Sequence, residues 1–373
     1  MTGLQIGINA LYLIPGGVGG SETYLRNLLR ALAALEAPHR FTVFTNRETE
    51  PGLVPSHPNW SARQTGIRAV NRPARLAYEQ AVLPLRCSGL DVLFCPGFTA
   101  PAISSCPTVT TIHDLQHKRH PEYFRWFERP FWRYFVWQAV HSSARLVAVS
   151  EATRAALLRY YSIRAGKIAV VHHGVEPEFF SLRDARQARQ SSPILLCPST
   201  THPHKNHALL LKCFARFSPG HPEWQLVLTG VSGFADRSIR QQIVALGLES
   251  RVQVLGWLPR RELYDWFERA AAVVYPSTFE GFGMPVVEAL AAGIPVACSD
   301  IEPLRTIAGD AALFFDPSSG ACLLQALEQI ALDQRLRARL ANAGPLRAAD
   351  FSWPLCARQT LAVLEQAARN PRS

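Results

Sequence analysis

Residues 277–298 read STFEGFGMPVVEALAAGIPVAC, and the order of features in this stretch decides the fold. Pro285 suits the first turn of a helix, where its missing N–H would be unpaired in any case. The apolar run 286–292 continues that helix, and Gly293 ends it. Residues 294–298 then read as a buried strand. The order is loop, helix, turn, strand. Glu280 falls in the loop and Glu288 at the end of the first helical turn.

This arrangement suggests a ligand. A helix N-terminus preceded by glycines offers free N–H groups and the positive end of a dipole, which suits a phosphate. Gly281 and Gly283 allow close approach to the backbone. A carboxylate accepts two hydrogen bonds from a vicinal diol, as the acidic residue of dinucleotide folds does on ribose. Two carboxylates flanking a phosphate site therefore fit two diols joined by a diphosphate, which is the layout of a nucleotide sugar. The plain alternative is an amphipathic helix with solvated glutamates.

Outward from this stretch, strands and helices alternate twice. In the first half strands are expected at residues 4–13, 41–45, 91–95, 108–113, 145–149 and 168–171, with helices at 22–35, 75–85, 123–141 and 151–161. The polar stretch 181–192 reads as a linker. Strands follow at 194–197, 225–229, 252–255, 272–275, 295–298 and 312–315, with helices between and after them. A last helix begins after Ser352, with Trp353 and Pro354 at its start. Such alternation predicts two α/β domains, each a parallel sheet covered by helices. Ligands of such sheets bind beyond the carboxyl ends of the strands.

Other motifs sit at those ends. The first βα loop, residues 15–20, is PGGVGG, followed by Ser21 as an expected N-cap. A nicotinamide dinucleotide fits it poorly, because Glu22 stands where the third glycine of that fingerprint belongs. Lys205 lies in THPHKNH, near a helix start where the dipole disfavours a cation and where it can neutralise a leaving diphosphate. His113 and Asp114 end the strand TVTTIHD. No GxSxG elbow accompanies them, which argues against a serine hydrolase. No two aspartates stand two apart, so a diphosphate–metal motif is missing and metal-independent chemistry without a cofactor is expected.

The whole pattern resembles the retaining GT-B glycosyltransferases of the large group 1 type, family four, whose Glu-x7-Glu motif is phrased as Glu280 to Glu288 is here. The resemblance implies two tandem Rossmann-like domains with an interdomain cleft, and a C-terminal helix that crosses back to the first domain. Residues 1–183 would bind acceptor, residues 184–351 the nucleotide sugar, and residues 352–373 would form the returning helix. Glu280 would contact the donor sugar and Glu288 the ribose, while backbone at Gly281, Phe282, Gly283 and Met284 would meet sugar and diphosphate. Lys205 would bind the diphosphate, His113 would lie over the sugar, and backbone at Leu258 would read the base. Gly19 and Gly20 would lie near the donor phosphate, and Gly17, Glu22 and Asp114 near the acceptor. Ser199 stands where many members carry a second diphosphate-binding Arg; His202, His204 or Arg305 would have to compensate. The resemblance favours front-face transfer over a covalent intermediate. It also suggests GDP-mannose as donor and a glycan or lipid-linked acceptor of cell-surface polysaccharide, such as lipopolysaccharide. The alternatives are a GT-B epimerase or phosphorylase, or a non-catalytic sugar-nucleotide-binding partner.

Composition narrows the setting. The chain of 373 residues carries a formal net charge of +10. Residues 1–180 hold 19 Lys and Arg against 12 Asp and Glu, so most of the excess lies in the first half. No nucleic-acid signature accompanies it. The eight cysteines form no CxxC pair, which argues against zinc and a disulfide framework and suits the cytoplasm. The N-terminal LQIGINALYL alternates like a strand and has no basic leader, and no apolar run is long enough to span a bilayer. Residues 124–137, FRWFERPFWRYFVW, put aromatics on one helical face and Arg125, Arg129 and Arg133 on another, with a kink or a fresh helix start at Pro130. That composition suits peripheral contact with the inner face of the plasma membrane, with a core-packed helix as the alternative.

Overall fold

The computed structural model describes residues 3–188 and 192–370. The chain divides into two compact units, residues 1–174 with 353–373, and residues 175–352. The first holds a parallel sheet of strands β1 (Gln5–Asn9), β2 (Arg40–Thr45), β3 (Trp60–Gln64), β4 (Val92–Cys95), β5 (Thr108–Ile112), β6 (Arg145–Ala148) and β7 (Ile168–Val170), in the order β3-β2-β1-β4-β5-β6-β7. The second holds β8 (Ser192–Pro198), β9 (Gln225–Thr229), β10 (Val252–Gly256), β11 (Ala270–Tyr275), β12 (Val296–Ser299) and β13 (Leu313–Phe315), in the order β10-β9-β8-β11-β12-β13. Strand order reverses at β1/β4 in one sheet and at β8/β11 in the other, which are the topological switch points of doubly wound sheets.

Helices cover both sheets because the central strands, such as β4, β5 and β11, are buried on both faces. Ile6, Ile8, Val43 and Phe94 pack with Leu28 of helix Gly20–Ala33 in the first core. Helix Trp353–Arg369 belongs to the same core through Trp353, Cys356 and Leu364. Leu195, Leu226 and Val274 pack with Phe214 and Leu327 in the second core. Each such fully buried side chain contributes roughly 1.5–3 kcal/mol.

Four local expectations change. Strand β3 (WSARQ) went unseen because only Trp60 is buried; it adds at the sheet edge, its indole stacked 4.2 Å from Phe41. The expected linker 181–192 is largely helix Pro177–Ala188, and Ser192 already begins β8. Phe179 anchors that helix 5.0 Å from Phe267. Arg186 caps the end of helix Arg260–Arg269 through the carbonyls of Phe267, Glu268 and Ala270. The boundary therefore falls at Gly174/Val175, not at 183/184. The helix expected over 123–141 is Glu128–Ser142, with Pro130 in its first turn, where a missing N–H costs nothing. Finally, Gly19 with φ +56° occupies the N-cap of helix Gly20–Ala33, and Ser21 turns back to the Val18 carbonyl.

Candidate active site

The second unit gathers charge at its switch point. Lys205 ends the loop after β8, in a short 3-10 turn Pro203–Lys205, and Glu280 lies in the loop after β11. Thr278 N–H donates to the His204 carbonyl at 2.7 Å and ties the two loops together. Lys205 Nζ then donates to Glu280 Oε1 at 2.5 Å and to the Tyr275 hydroxyl at 2.9 Å. Ser277 Oγ donates to the same Glu280 oxygen at 2.5 Å. Both charged side chains are mostly buried, at 14% and 9% exposure, so the pair is far stronger than a surface ion pair. Burial first, then the charge of Glu280, pushes the Tyr275 phenol well above its ordinary value, so it stays a neutral donor or acceptor.

Helix Met284–Ala291 starts beside this pair. Gly283 is its N-cap at φ +102°, a conformation that favours glycine, and a Cβ there would lie 2.4 Å from Leu304 Cδ2, which would have to shift. Phe282 turns inward, 5.8 Å from the Phe351 ring, leaving the loop its backbone. Met284 is half-buried at the first helical position. Glu288 is buried on the next turn, and its Oε1 accepts from Arg260 Nη2 at 2.7 Å. Arg260 opens helix Arg260–Arg269, two residues after the half-buried Leu258. Its Nε also donates to Glu176 Oε2 at 2.7 Å, and the Tyr264 hydroxyl donates to that oxygen at 2.6 Å.

Ser199 offers no replacement for a second phosphate-binding cation. It is buried, its hydroxyl lies 3.0 Å from His207 Nε2, and its N–H donates to the Thr229 carbonyl. Arg305 is committed to Asp300, and burial followed by the charge of Lys205 lowers His202. Arg260, Glu176, Tyr264, Tyr275 and Ser277 escaped sequence reasoning. Arg260 alone left a signal, a cation at a helix start, where the dipole disfavours it.

The first unit is furnished differently. Glu22 folds back on the glycine loop: its Oε2 accepts from Gly16 N–H at 2.8 Å, and its Oε1 takes Arg26 Nε at 2.8 Å. Gly17 N–H donates to the Ile14 carbonyl, and a Cβ on Gly17 would lie 2.9 Å from Ile14 Cγ2. His113 follows β5, and its Nε2 lies 2.8 Å from the Pro96 carbonyl. A carbonyl only accepts, so Nε2 carries the proton and Nδ1 is the acceptor face. Burial pushes His113 down to about 4, which keeps it neutral. Asp114 Oδ1 caps the N–H of Gln116. Among the described residues all eight cysteines are free and no cluster of metal-ligating side chains occurs.

The stretch 124–137 is not core-packed as a whole. Val136 is its buried anchor, continued by Ala139 and Val140 further along the helix, whereas Trp126, Phe127, Tyr134 and Trp137 are exposed. A recess of about 560 Å³ is lined by Lys118, Trp126, Arg129, Arg133, Tyr134 and Trp137, with Pro130 between them. Among the described residues no helix is long and apolar enough to cross a membrane.

Comparison with known proteins agrees with this architecture. Sucrose-phosphate synthase from Thermosynechococcus elongatus superposes with a TM-score of 0.79 at 20% identity, over 97% of this chain and 98% of that one. Anabaena HepE, solved in complex with UDP and glucose, gives 0.72 at 20% identity over 97% and 99%. The two sheets with their switch-point loops are thus a GT-B fold. The model of Glycosyltransferase Family 4 matches residues 18–179, and that of Glycosyl transferases group 1 matches residues 179–347. The chain belongs to the group 1 glycosyltransferases. The O-antigen chain mannosyltransferase B of Escherichia coli is 27% identical over 265 residues, 68% of each protein. The chain spans between about half and two thirds of the length of the curated relatives it matches.

Proposed function

We propose that this glycosyltransferase moves a hexose, with retention at the anomeric carbon, from a nucleotide diphosphate sugar to a hydroxyl of a glycan or lipid-linked acceptor. One observation carries the reading: a buried Lys205–Glu280 pair beside a glycine-capped helix N-terminus, with a second buried carboxylate, Glu288, on that helix. The bond from C1 to the diphosphate oxygen breaks as the acceptor oxygen bonds to C1, and the acceptor proton leaves with the diphosphate. Lys205 neutralises the charge that grows on the leaving group, together with the N–H groups after Gly283. Glu280 accepts from sugar hydroxyls and Glu288 from the ribose. His113 accepts a sugar hydroxyl at Nδ1; this assignment rests on the family resemblance and on its fixed tautomer. The charge supplied by Lys205 favours transfer without a divalent ion. GDP-mannose is the first donor to test, because relatives carry mannosyltransferase names.

The test is a panel of nucleotide sugars, followed by determination of the anomeric configuration of the product and by assay after exhaustive chelation. Retained configuration and chelator-resistant turnover are expected. An inverted product would contradict the mechanism, and activity restored only by magnesium or manganese would contradict metal independence.

The acceptor reading includes peripheral contact with an anionic bilayer through the first unit. Exposed Trp126, Tyr134 and Trp137 around Lys118, Arg129 and Arg133 support it. Indole rings favour headgroup depth, and each Lys or Arg near an anionic surface gains about 1 kcal/mol. Arg125, Arg129 and Arg133 changed together to Gln should lower binding to phosphatidylserine vesicles while donor affinity stays. No vesicle binding by the unaltered protein would remove this part of the reading.

A further inference from the structure

Arg260 belongs to no motif of the family pattern, yet it ties together two buried carboxylates of the second unit. It joins Glu176, at the start of the unit, to Glu288, on the helix that carries the donor motif. The two carboxylates are 12% and 8% exposed and the guanidinium 34%, so the cluster is largely withdrawn from water. Arg260 also lies over the rings of Phe179 and Tyr264, at 5.2 and 5.7 Å, which fixes the plane of its fork.

We propose that Arg260 is a positioning residue for the donor: anchored by Glu176, it takes Glu288 Oε1 and thereby turns Oε2 toward the ribose diol. The proposal rests on reading Glu288 as the ribose acceptor. Among the described residues Arg260 is the hydrogen-bond donor to Glu288, and it reaches only Oε1. An ionised carboxylate has about four lone-pair sites, so ample accepting capacity remains at Oε2 for two hydroxyls. Without a fixed partner a glutamate on a helix samples several rotamers, and the diol would have to select one.

Electrostatics gives the same residue a second consequence. The groups that act on Glu288 are Arg260 and Glu176, and Tyr275 on β11 senses its charge. Burial pushes the Glu288 carboxyl up, the Arg260 guanidinium opposes the rise, and Glu176 adds to it. Burial likewise works against the charge on Arg260, but Glu288 and Glu176 more than reverse this and hold it above its ordinary value. Removal of the guanidinium would leave two buried carboxylates side by side, and one of them would take up a proton. A protonated Glu288 is a poorer acceptor for a diol, so the variant should bind nucleotide better as pH rises.

The test uses the full chain with GDP and UDP as probes, titrated calorimetrically between pH 6 and 9. The unaltered protein should show nearly flat affinity over this range. Arg260→Ala should bind roughly tenfold more weakly at pH 7, consistent with loss of a charged hydrogen bond, and recover toward pH 9. Arg260→Lys should recover much of the affinity and the flat profile, because one donor and the charge are restored. Glu288→Ala should bind weakly at every pH. Should Arg260→Ala fail to fold, Arg260→Lys and Glu176→Gln carry the test: Glu176→Gln should weaken binding without an upward pH shift, since the repelling carboxylate is gone. Normal affinity and a flat profile in Arg260→Ala or, in its absence, in Glu176→Gln, beside a weakened Glu288→Ala, would overturn this proposal alone. A Glu288→Ala protein that binds nucleotides normally would overturn the donor reading, and this proposal with it.

Discussion

Each sheet reverses its strand order once, and the two reversals are furnished in opposite ways. At β8/β11 the loops present Lys205 and Glu280 to each other, with Tyr275 and Ser277 as further partners. At β1/β4 the glycine loop after β1 is tied down by Glu22, and the Pro96 carbonyl after β4 holds His113 of the neighbouring β5, which burial keeps uncharged. At one switch point a cation and a carboxylate from two different loops thus meet each other, whereas at the other Glu22 is spent on its own loop and on Arg26, and Glu79 on Asn9 and Thr99. On the proposed function the β8/β11 rim meets the diphosphate and its sugars, and the first unit meets its ligand through backbone and an uncharged imidazole.

The largest effect that would test this contrast is on Lys205. Lys205→Ala should lower kcat/KM for transfer by roughly 100-fold or more, the scale of a lost donor to a developing oxyanion. The variant should remain folded, because Ser277 still holds Glu280. A loss below about threefold would mean that the charge at the β8/β11 switch point is not used in chemistry. A smaller effect is expected on stability. Gly283→Ala places a side chain at φ +102° against Leu304, and should cost about 1–3 kcal/mol in denaturant unfolding. The same change should weaken nucleotide binding, because the helix start would shift.

The smallest expected effect concerns the uncharged imidazoles of the first unit. Burial pushes both His113 and His117 from 6.5 down to about 4. The unfolded chain therefore binds more protons between these values, and stability is full above pH 6.5 and is lost as pH falls toward 4. His113→Asn should flatten part of that slope in a pH series of thermal melts. An unchanged slope would show that His113 is charged in the folded protein.

What could be read beforehand follows the range over which the residues act. Local grammar was sufficient for every strand but β3, for the helix after Gly283 and for Lys205 at a helix start, since each depends on neighbours in sequence. Pairings across the chain were not readable. Lys205 meets Glu280 from 75 residues away, and Arg260 meets Glu176 from 84. Edge strand β3 was hidden because four of its five residues face water, and an edge strand needs only one buried anchor. The helix Pro177–Ala188 was hidden because its polar residues, Arg186 among them, serve backbone carbonyls. Ser199 shows the limit of carrying a role over by position: its hydroxyl and its N–H are both spent within the unit.

The division of labour between the two glutamates is the central claim, and free nucleotide binding tests it most directly. GDP and UDP should be titrated into the unaltered protein, Glu280→Ala and Glu288→Ala under identical conditions. Glu288→Ala should lose roughly 10- to 100-fold in nucleotide affinity, as expected for one charged hydrogen-bonding group, because the ribose loses its acceptor. Glu280→Ala should bind free nucleotide about as well as the unaltered protein and fail mainly in transfer, because its partner is the sugar. Equal losses of nucleotide affinity in both variants would contradict the assignment.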